Sequence, residues 1–403
     1  MFEIQGFRAA AVKSGIRGKD RLDLGLIVSD IPASAAGVFT TNRVKAAPVL
    51  LGRERLQGGR VQAILVNSGI ANACTGAVGL RQARICGAMA ADALGISPEL
   101  VQLSSTGVIG MALDVEGFRR AIPRLIAALN GGAGADDKAA LGLKAVARAI
   151  MTTDLVPKTA VRNLSLDGVA VKIAALAKGS GMIMPDMATM LCFILTDAAV
   201  KPELLRRMLR SAVAASFNRI TVDGDTSPND TVLLLANGRS GAPLLAAGSP
   251  AQIVFQQHLD DLCRDLARQV VRDGEGATKL VTVRVEGATN QAEADRAART
   301  IANSSLVKTA FFGEDANWGR IISALGRSGA VFNPEAVGIA FNDVVMVQNG
   351  VGLGAAAEKR ATEVLRGQEF TVTVNLRAGG AAAECLTCDF SFDYVRINAA
   401  YRS

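Results

Sequence analysis

Histidine is almost missing from this chain of 403 residues; the one copy is His258. That scarcity excludes a histidine-rich metal site, and any Ser-His-Asp or Cys-His arrangement would have to be built on that single residue. His258 sits in an amphipathic stretch, Val254–Leu266, and reads as a helix-surface or interface residue. Cysteine is also sparse, with six copies spread along the chain, which is unlike the dense pattern of a secreted disulfide scaffold. Cys192 and Cys263 read as small core residues, and Cys385-Leu-Thr-Cys388 is a lone C-x-x-C pair without the second pair that zinc would need. No apolar run approaches the roughly 18 residues of a membrane span. Met1–Gly6 shows no basic segment leading into an apolar one, so no signal peptide is expected. The expectation is a soluble, cytoplasmic protein that does not touch membranes.

Charge is present but not concentrated. Lys and Arg number 44 against 37 acidic residues, a net charge of +7, with no run of five or six like charges. Nucleic-acid binders cluster their cations and interleave aromatics, so nucleic acid is not an expected partner. Aromatics make up only 4% of the residues while half are hydrophobic, so Ala, Val, Leu and Ile must fill the core. A chain of this length exceeds the usual size of one core, which calls for two lobes or one large layered domain.

The pattern alternates strands and helices. Leu22–Val28 and Val61–Val66 read as buried strands, as does the apolar run Met190–Leu195. Val281–Val285 and Phe370–Val374 alternate as strands do. Helices are expected over Leu80–Leu94, stopped by Gly95, and over Phe118–Leu129, where Pro123 intrudes. Further helices are expected at Glu203–Ala215 behind Pro202, at Ala251–Arg272 and at Gln291–Ala302. Asn130–Asp137 reads as a surface loop, and the alanine-rich pieces near Ala355 and Ala381 carry little signal. The mixture indicates an α/β protein with sheets covered by helices.

Without histidine, nucleophilic chemistry needs another base. A threonine whose own α-amino group removes its hydroxyl proton is one solution, because that amine titrates near 7.7–8.0. An internal threonine gains such an amine only when the peptide bond before it is cut. Lys178-Gly-Ser-Gly-Met-Ile-Met-Pro-Asp-Met-Ala-Thr-Met-Leu191 suits that requirement: two glycines and a proline shape the approach, Ala188 is small, and Thr189 opens a buried strand.

That segment resembles the signature of the ornithine acetyltransferase (glutamate N-acetyltransferase) family of arginine biosynthesis. Matching stretches run along the whole chain, among them Gly37–Asn42, Val66–Gly76, Ser105–Gly110, Met151–Asp154, Asp223–Ser227, Asp273–Lys279, Asn317–Arg320 and Tyr394–Asn398. The resemblance implies a layered α-β-β-α sandwich with a second, smaller α/β lobe, in the manner of self-processing N-terminal-nucleophile enzymes. It implies cleavage between Ala188 and Thr189 into chains 1–188 and 189–403, which stay associated, two copies of each. Thr189 then takes acetyl from N-acetylornithine and passes it to glutamate in ping-pong fashion. Thr106 and Gly107 match the oxyanion-stabilising pair. Lys178 matches a substrate lysine, Glu275 a substrate carboxylate and Thr152 a further substrate contact; Asn398 and Ser403 match C-terminal substrate contacts. Ser403 stands where the family often has threonine, and Asp186 where asparagine is common. No cofactor is implied, though acetyl-CoA is a candidate second donor. The alternatives are a self-processing amidase or aminopeptidase, with water as acceptor, and a basic binding protein that keeps the fold without the chemistry.

Overall fold

The computed structural model describes residues 3–18, 20–131, 139–184 and 190–400. Within them a nine-stranded sheet is built from β1 (Phe7–Val12), β2 (Leu24–Phe39), β3 (Arg60–Ile70), β4 (Val101–Val108), β5 (Ala139–Leu141), β6 (Lys158–Leu166), β7 (Val169–Lys178), β8 (Leu191–Thr196) and β9 (Thr231–Ala236). The main path runs β4-β3-β2-β9-β8-β7-β6, with β1 pairing both β2 and β5. The 16-residue β2 does more than the expected strand at Leu22–Val28. Its first half pairs with β3 through Leu24↔Asn67 to Val28↔Ala63, the register breaks, and its second half pairs with β9 from Ser34↔Ala236 to Phe39↔Thr231.

That break folds the sheet over on itself. Side chains alternate across a strand, and the three cores follow the alternation. Leu24, Leu26 and Val28 pack outward with Leu51 of α1 (Ala47–Arg55), Cys86 of α2 (Gly76–Leu94) and Phe118 of α3 (Val115–Leu129). Ile27, Ala33 and Ala35 face inward with Ile64 and Val66 of β3, Leu176 of β7, Phe193 of β8, Leu233 of β9 and Val146 of α4 (Leu143–Ala149). Ala36 and Val38 turn to the other outer face, against α5 (Pro202–Ala214) and α6 (Pro250–Arg272). The result is the expected helix–sheet–sheet–helix sandwich. Within the apolar run expected as a strand, every residue of β8 is buried.

The smaller lobe contains β10 (Leu280–Ala288), β11 (Gly338–Phe341), β12 (Val344–Gln348), β13 (Val351–Gly352), β14 (Glu369–Asn375) and β15 (Ala381–Cys388), ordered β13-β12-β11-β14-β10-β15. It packs on α7 (Gln291–Ala302), α8 (Ser305–Phe312), α9 (Trp318–Gly326) and α10 (Ala355–Leu365) around a core of its own. The alanine-rich pieces near Ala355 and Ala381 thus form α10 and β15. Cys385 and Cys388, three apart on a strand, point to opposite faces: the first packs in the small-lobe core, the second in the sandwich core. Both are free thiols and buried. The last helix, α11 (Phe392–Ala400), brings the chain back to the sandwich.

Helix ends follow local chemistry. Gly95 closes α2 at φ +67°, a conformation glycine adopts without strain. Ser249 caps α6 by accepting from the Gln252 amide, and Asn290 caps α7 by accepting from the Glu293 amide. The loop expected at 130–137 falls largely outside the described residues. Among the described residues no helix is long and apolar enough to cross a membrane.

Candidate functional site

The strand register lines up one end of the sandwich. Lys178 closes β7 opposite Leu191 of β8; Leu191 pairs with Thr231 of β9, and Thr231 with Phe39 of β2. In the facing layer, Ser68 and Gly69 of β3 pair with Thr106 and Gly107 of β4. A cleft of about 190 Å³ opens at this end. It gathers Thr106, Gly107, Thr152, Lys178, Glu275 and Asn398, which lie far apart in sequence. Met190, the residue after Thr189, also lines it. Ala188, Thr189, Asp186 and Ser403 lie outside the described residues. His258 is half-buried on α6 and is not among the lining residues.

Lys178 ties the two layers together. Its Nζ donates to Thr106 Oγ1 at 3.3 Å. The residue is 8% exposed, so it is not the exposed loop charge that a lysine beside glycine suggests. Burial pushes its pKa below the usual lysine value, against the upward pull of Asp154. Asp154 sits behind the cleft. Its carboxylate accepts from the Gly179 amide at 2.8 Å, from the Thr152 amide at 2.9 Å and from Lys158 Nζ at 2.6 Å. Burial alone would raise the Asp154 pKa, but Lys178 and Lys158 hold it far below the carboxylate range.

Lys158 bridges Asp154 to Asp273, and all three are buried. Asp273 in turn positions Glu275: its carbonyl accepts from Ser180 Oγ at 2.8 Å, and the Glu275 amide donates to the Ser180 carbonyl at 2.9 Å. Asn398 of α11 donates Nδ2 to Glu275 Oε2 at 2.7 Å. The turn carrying Glu275 fits tightly under α11, since a Cβ on Gly276 (φ +68°) would meet the Tyr394 nitrogen at 2.4 Å.

Gly107 is fixed by its surroundings. Its φ is +128°, and a Cβ there would lie 2.3–2.7 Å from backbone atoms of Gly69. Only glycine fits there, beside Thr106 in the cleft lining.

Several lining groups are additional to those expected from sequence. Asp223 accepts from the Met182 amide at 2.6 Å and the Ile183 amide at 2.8 Å, holding Met182 at φ +55°. Asp230 is 1% exposed, and burial raises its pKa well above the carboxylate range against the pull of Lys178. One of its oxygens has no hydrogen-bond partner among the described residues. Burial, then Asp223 and Glu275, raise the Tyr394 hydroxyl pKa. The sequence signal for Asp230 was a charge abutting the apolar run Thr231–Ala236. With Asp225, the lining holds four carboxyl groups and one cation, Lys178. This suits a small zwitterion with a second amino group: its carboxylate at Lys178, its ammonium at the acidic wall. Among the described residues no cluster of three His, Cys, Asp or Glu side chains could hold a metal ion.

Fold and cleft together define a layered α/β sandwich with a small-molecule site at its strand ends. The ArgJ family model matches residues 8–403. The arginine biosynthesis bifunctional protein ArgJ of Desulfotalea psychrophila is 53% identical over 401 residues, covering 100% of both chains. That of Geobacter sulfurreducens is 52% identical over 400 residues, 99% of this chain and 100% of the relative. The crystal structure of the Bacillus halodurans ArgJ protein aligns with a TM-score of 0.50 and 44% identity, over 52% of this chain and 98% of that one. The chain belongs to the ArgJ family.

Proposed function

We propose that this protein is an acetyltransferase of arginine biosynthesis, moving acetyl from N2-acetylornithine to glutamate through an ester on Thr189. One observation carries the reading: buried Lys178, bonded to Thr106 beside Gly107, faces the Glu275–Asn398 pair across a cleft bordered by the residue that follows Thr189.

Processing comes first. The Thr189 hydroxyl attacks the Ala188 carbonyl, the peptide bond rearranges to an ester, and water releases chains 1–188 and 189–403, leaving Thr189 with a free amine. The solved Bacillus halodurans chain, matched over 98% of its length by half of this one, accords with such a division. Both segments are needed for the fold, since β8 and β9 pair with β7 and β2. In turnover, the Thr189 amine takes the hydroxyl proton as the oxygen bonds to the acetyl carbon. Thr106 Oγ1 and the Gly107 N–H donate to the oxyanion. The C–N bond breaks, the proton passes to the departing amine, and ornithine leaves. Glutamate's amine then attacks the ester and departs as N-acetylglutamate. Lys178 and Thr152 hold the substrate carboxylate; Glu275, oriented by Asn398, faces the ornithine ammonium, and Ser403 is a further substrate contact. No cofactor takes part, and acetyl-CoA serves as a second donor. Two copies of each chain assemble, and the enzyme works in the cytoplasm without membrane or nucleic-acid partners.

The test is product analysis with acetylornithine and glutamate. Ornithine and N-acetylglutamate should form in equal amounts, with parallel-line initial-rate patterns. Ornithine matched by free acetate would instead identify a hydrolase.

A further inference from the structure

A second groove of about 730 Å³ is ringed by cations. Lys45 lies just before α1, Arg53 in its last turn, and Arg206 and Arg210 one turn apart on α5. No acidic side chain lines the groove. Lys45 Nζ donates to the Asn42 carbonyl at 2.7 Å. Elsewhere arginines find carboxylates, as Arg84 does with Glu54 and Arg284 with Glu384. Among the described residues Arg53, Arg206 and Arg210 have no hydrogen-bond or ion-pair partner. Four cations around one concavity repel one another, and a multiply charged anion would neutralise them together. The cluster is hidden in the sequence because its members come from segments about 150 residues apart.

Thr40 and Thr41, which follow the end of β2, also line the groove. Thr40 Oγ1 donates to the Ser227 carbonyl at 2.8 Å, and its amide donates to the Asp230 carbonyl at 3.0 Å. Ser227 and Asp230 both line the cleft. Thr40 therefore lines the groove and is bonded to two residues that line the cleft.

We propose that the groove holds the phosphate-bearing end of a coenzyme-A-type acyl thioester, whose flexible thiol arm runs past Thr40 to deliver acetyl to the cleft. The inference rests on the acetyl-transfer reading above. The step balances without an added reactant: the Thr189 oxygen bonds to the acetyl carbon, the carbon–sulfur bond breaks, and the thiol leaves with the hydroxyl proton. Phosphates recognised by arginine account for the missing counter-charge, and the Thr40 bonds to Ser227 and Asp230 of the cleft lining favour a donor over a remote effector.

The experiment compares wild type with Arg206→Ala/Arg210→Ala and with Arg53→Ala, measuring glutamate acetylation from three donors. With acetyl-CoA, KM should rise at least roughly tenfold in the double variant and the wild-type KM should increase with salt. With acetylornithine, and with acetyl-pantetheine, which lacks the nucleotide phosphates, KM should stay within about twofold, which also shows that the variants fold. An unchanged KM for acetyl-CoA in the double variant overturns the proposal. So does a wild type that transfers from acetylornithine but neither uses acetyl-CoA nor binds coenzyme A by calorimetry; there the acetyl-transfer reading survives. Binding of adenosine 3′,5′-bisphosphate without turnover of acetyl-CoA would make the groove an effector site and also overturn it. Failure with acetylornithine would sink the acetyl-transfer reading, and calorimetry with coenzyme A on wild type and double variant would still decide the groove.

Discussion

Replacing Lys158 with methionine tests whether the buried charges behind the cleft hold it in shape. Lys158 is fully buried between Asp154 and Asp273, at 2.6 and 2.5 Å. Methionine keeps the volume and removes the charge, leaving two carboxylates facing each other. Breaking a buried pair by removing one partner costs about 3–5 kcal/mol. The pH dependence gives the sharper signature. In the wild type Asp154 is held far below its unfolded value by Lys178 and Lys158, so its stabilisation is present above the unfolded pKa and is lost as pH falls through the folded one. In the variant Asp154 loses one of those cations, its folded pKa moves up, and acid removes less stability. The penalty should therefore be largest near neutrality and shrink toward acid. Urea unfolding at about pH 7 and about pH 3, with Thr189→Ala in both proteins to keep the chain whole, measures this. In the Thr189 background KM for acetylornithine should rise by about tenfold or more, since Asp154 and Asp273 anchor Gly179 and Ser180. A penalty below about 1 kcal/mol, or one equal at both pH values, would refute the reasoning.

Three further outcomes follow from the same geometry. Gly107→Ala forces a Cβ against Gly69 backbone at 2.3–2.7 Å; it should cost about 1–3 kcal/mol in thermal unfolding, and kcat should fall by about 10²-fold or more as the oxyanion donor shifts. Gly181→Ala places a Cβ 2.4–2.5 Å from the Glu275 carboxylate; because that side chain can swing away, the melting temperature should barely move while KM for acetylornithine rises by about tenfold. Lys178 has a pKa below 10.5, set first by burial, so KM for both amino-acid substrates should rise at alkaline pH starting below that value, and Lys178→Arg should move the rise upward in a pH–rate profile.

The sequence and the fold agree where local chemistry decides the outcome. The run at Met190–Leu195 read as a buried strand and Leu191–Thr196 is one, and Gly95 ended α2 because it tolerates φ +67°. The folding-over of β2 was hidden, since its break shows as a pairing change between Val28 and Ala33 rather than as a gap in apolar residues. Lys178 illustrates the same limit: glycine beside it suggested an exposed loop, whereas Asp154, Asp230 and Glu275 converge on it from distant segments and let it stay buried. Asp230 and the basic groove became apparent only when separate segments met. Of the residues the resemblance named, Thr106, Gly107, Thr152, Lys178, Glu275 and Asn398 line the cleft, while Thr189 and Ser403 lie outside the described residues.

The most direct test of the central claim is the denatured mass of the purified wild-type protein before and after brief exposure to acetylornithine without glutamate. The account predicts two chains, 1–188 and 189–403, the second beginning with Thr189 and gaining one acetyl group that disappears when glutamate is added. A whole chain that still releases ornithine, or an acetyl group found on any residue other than Thr189, would contradict it.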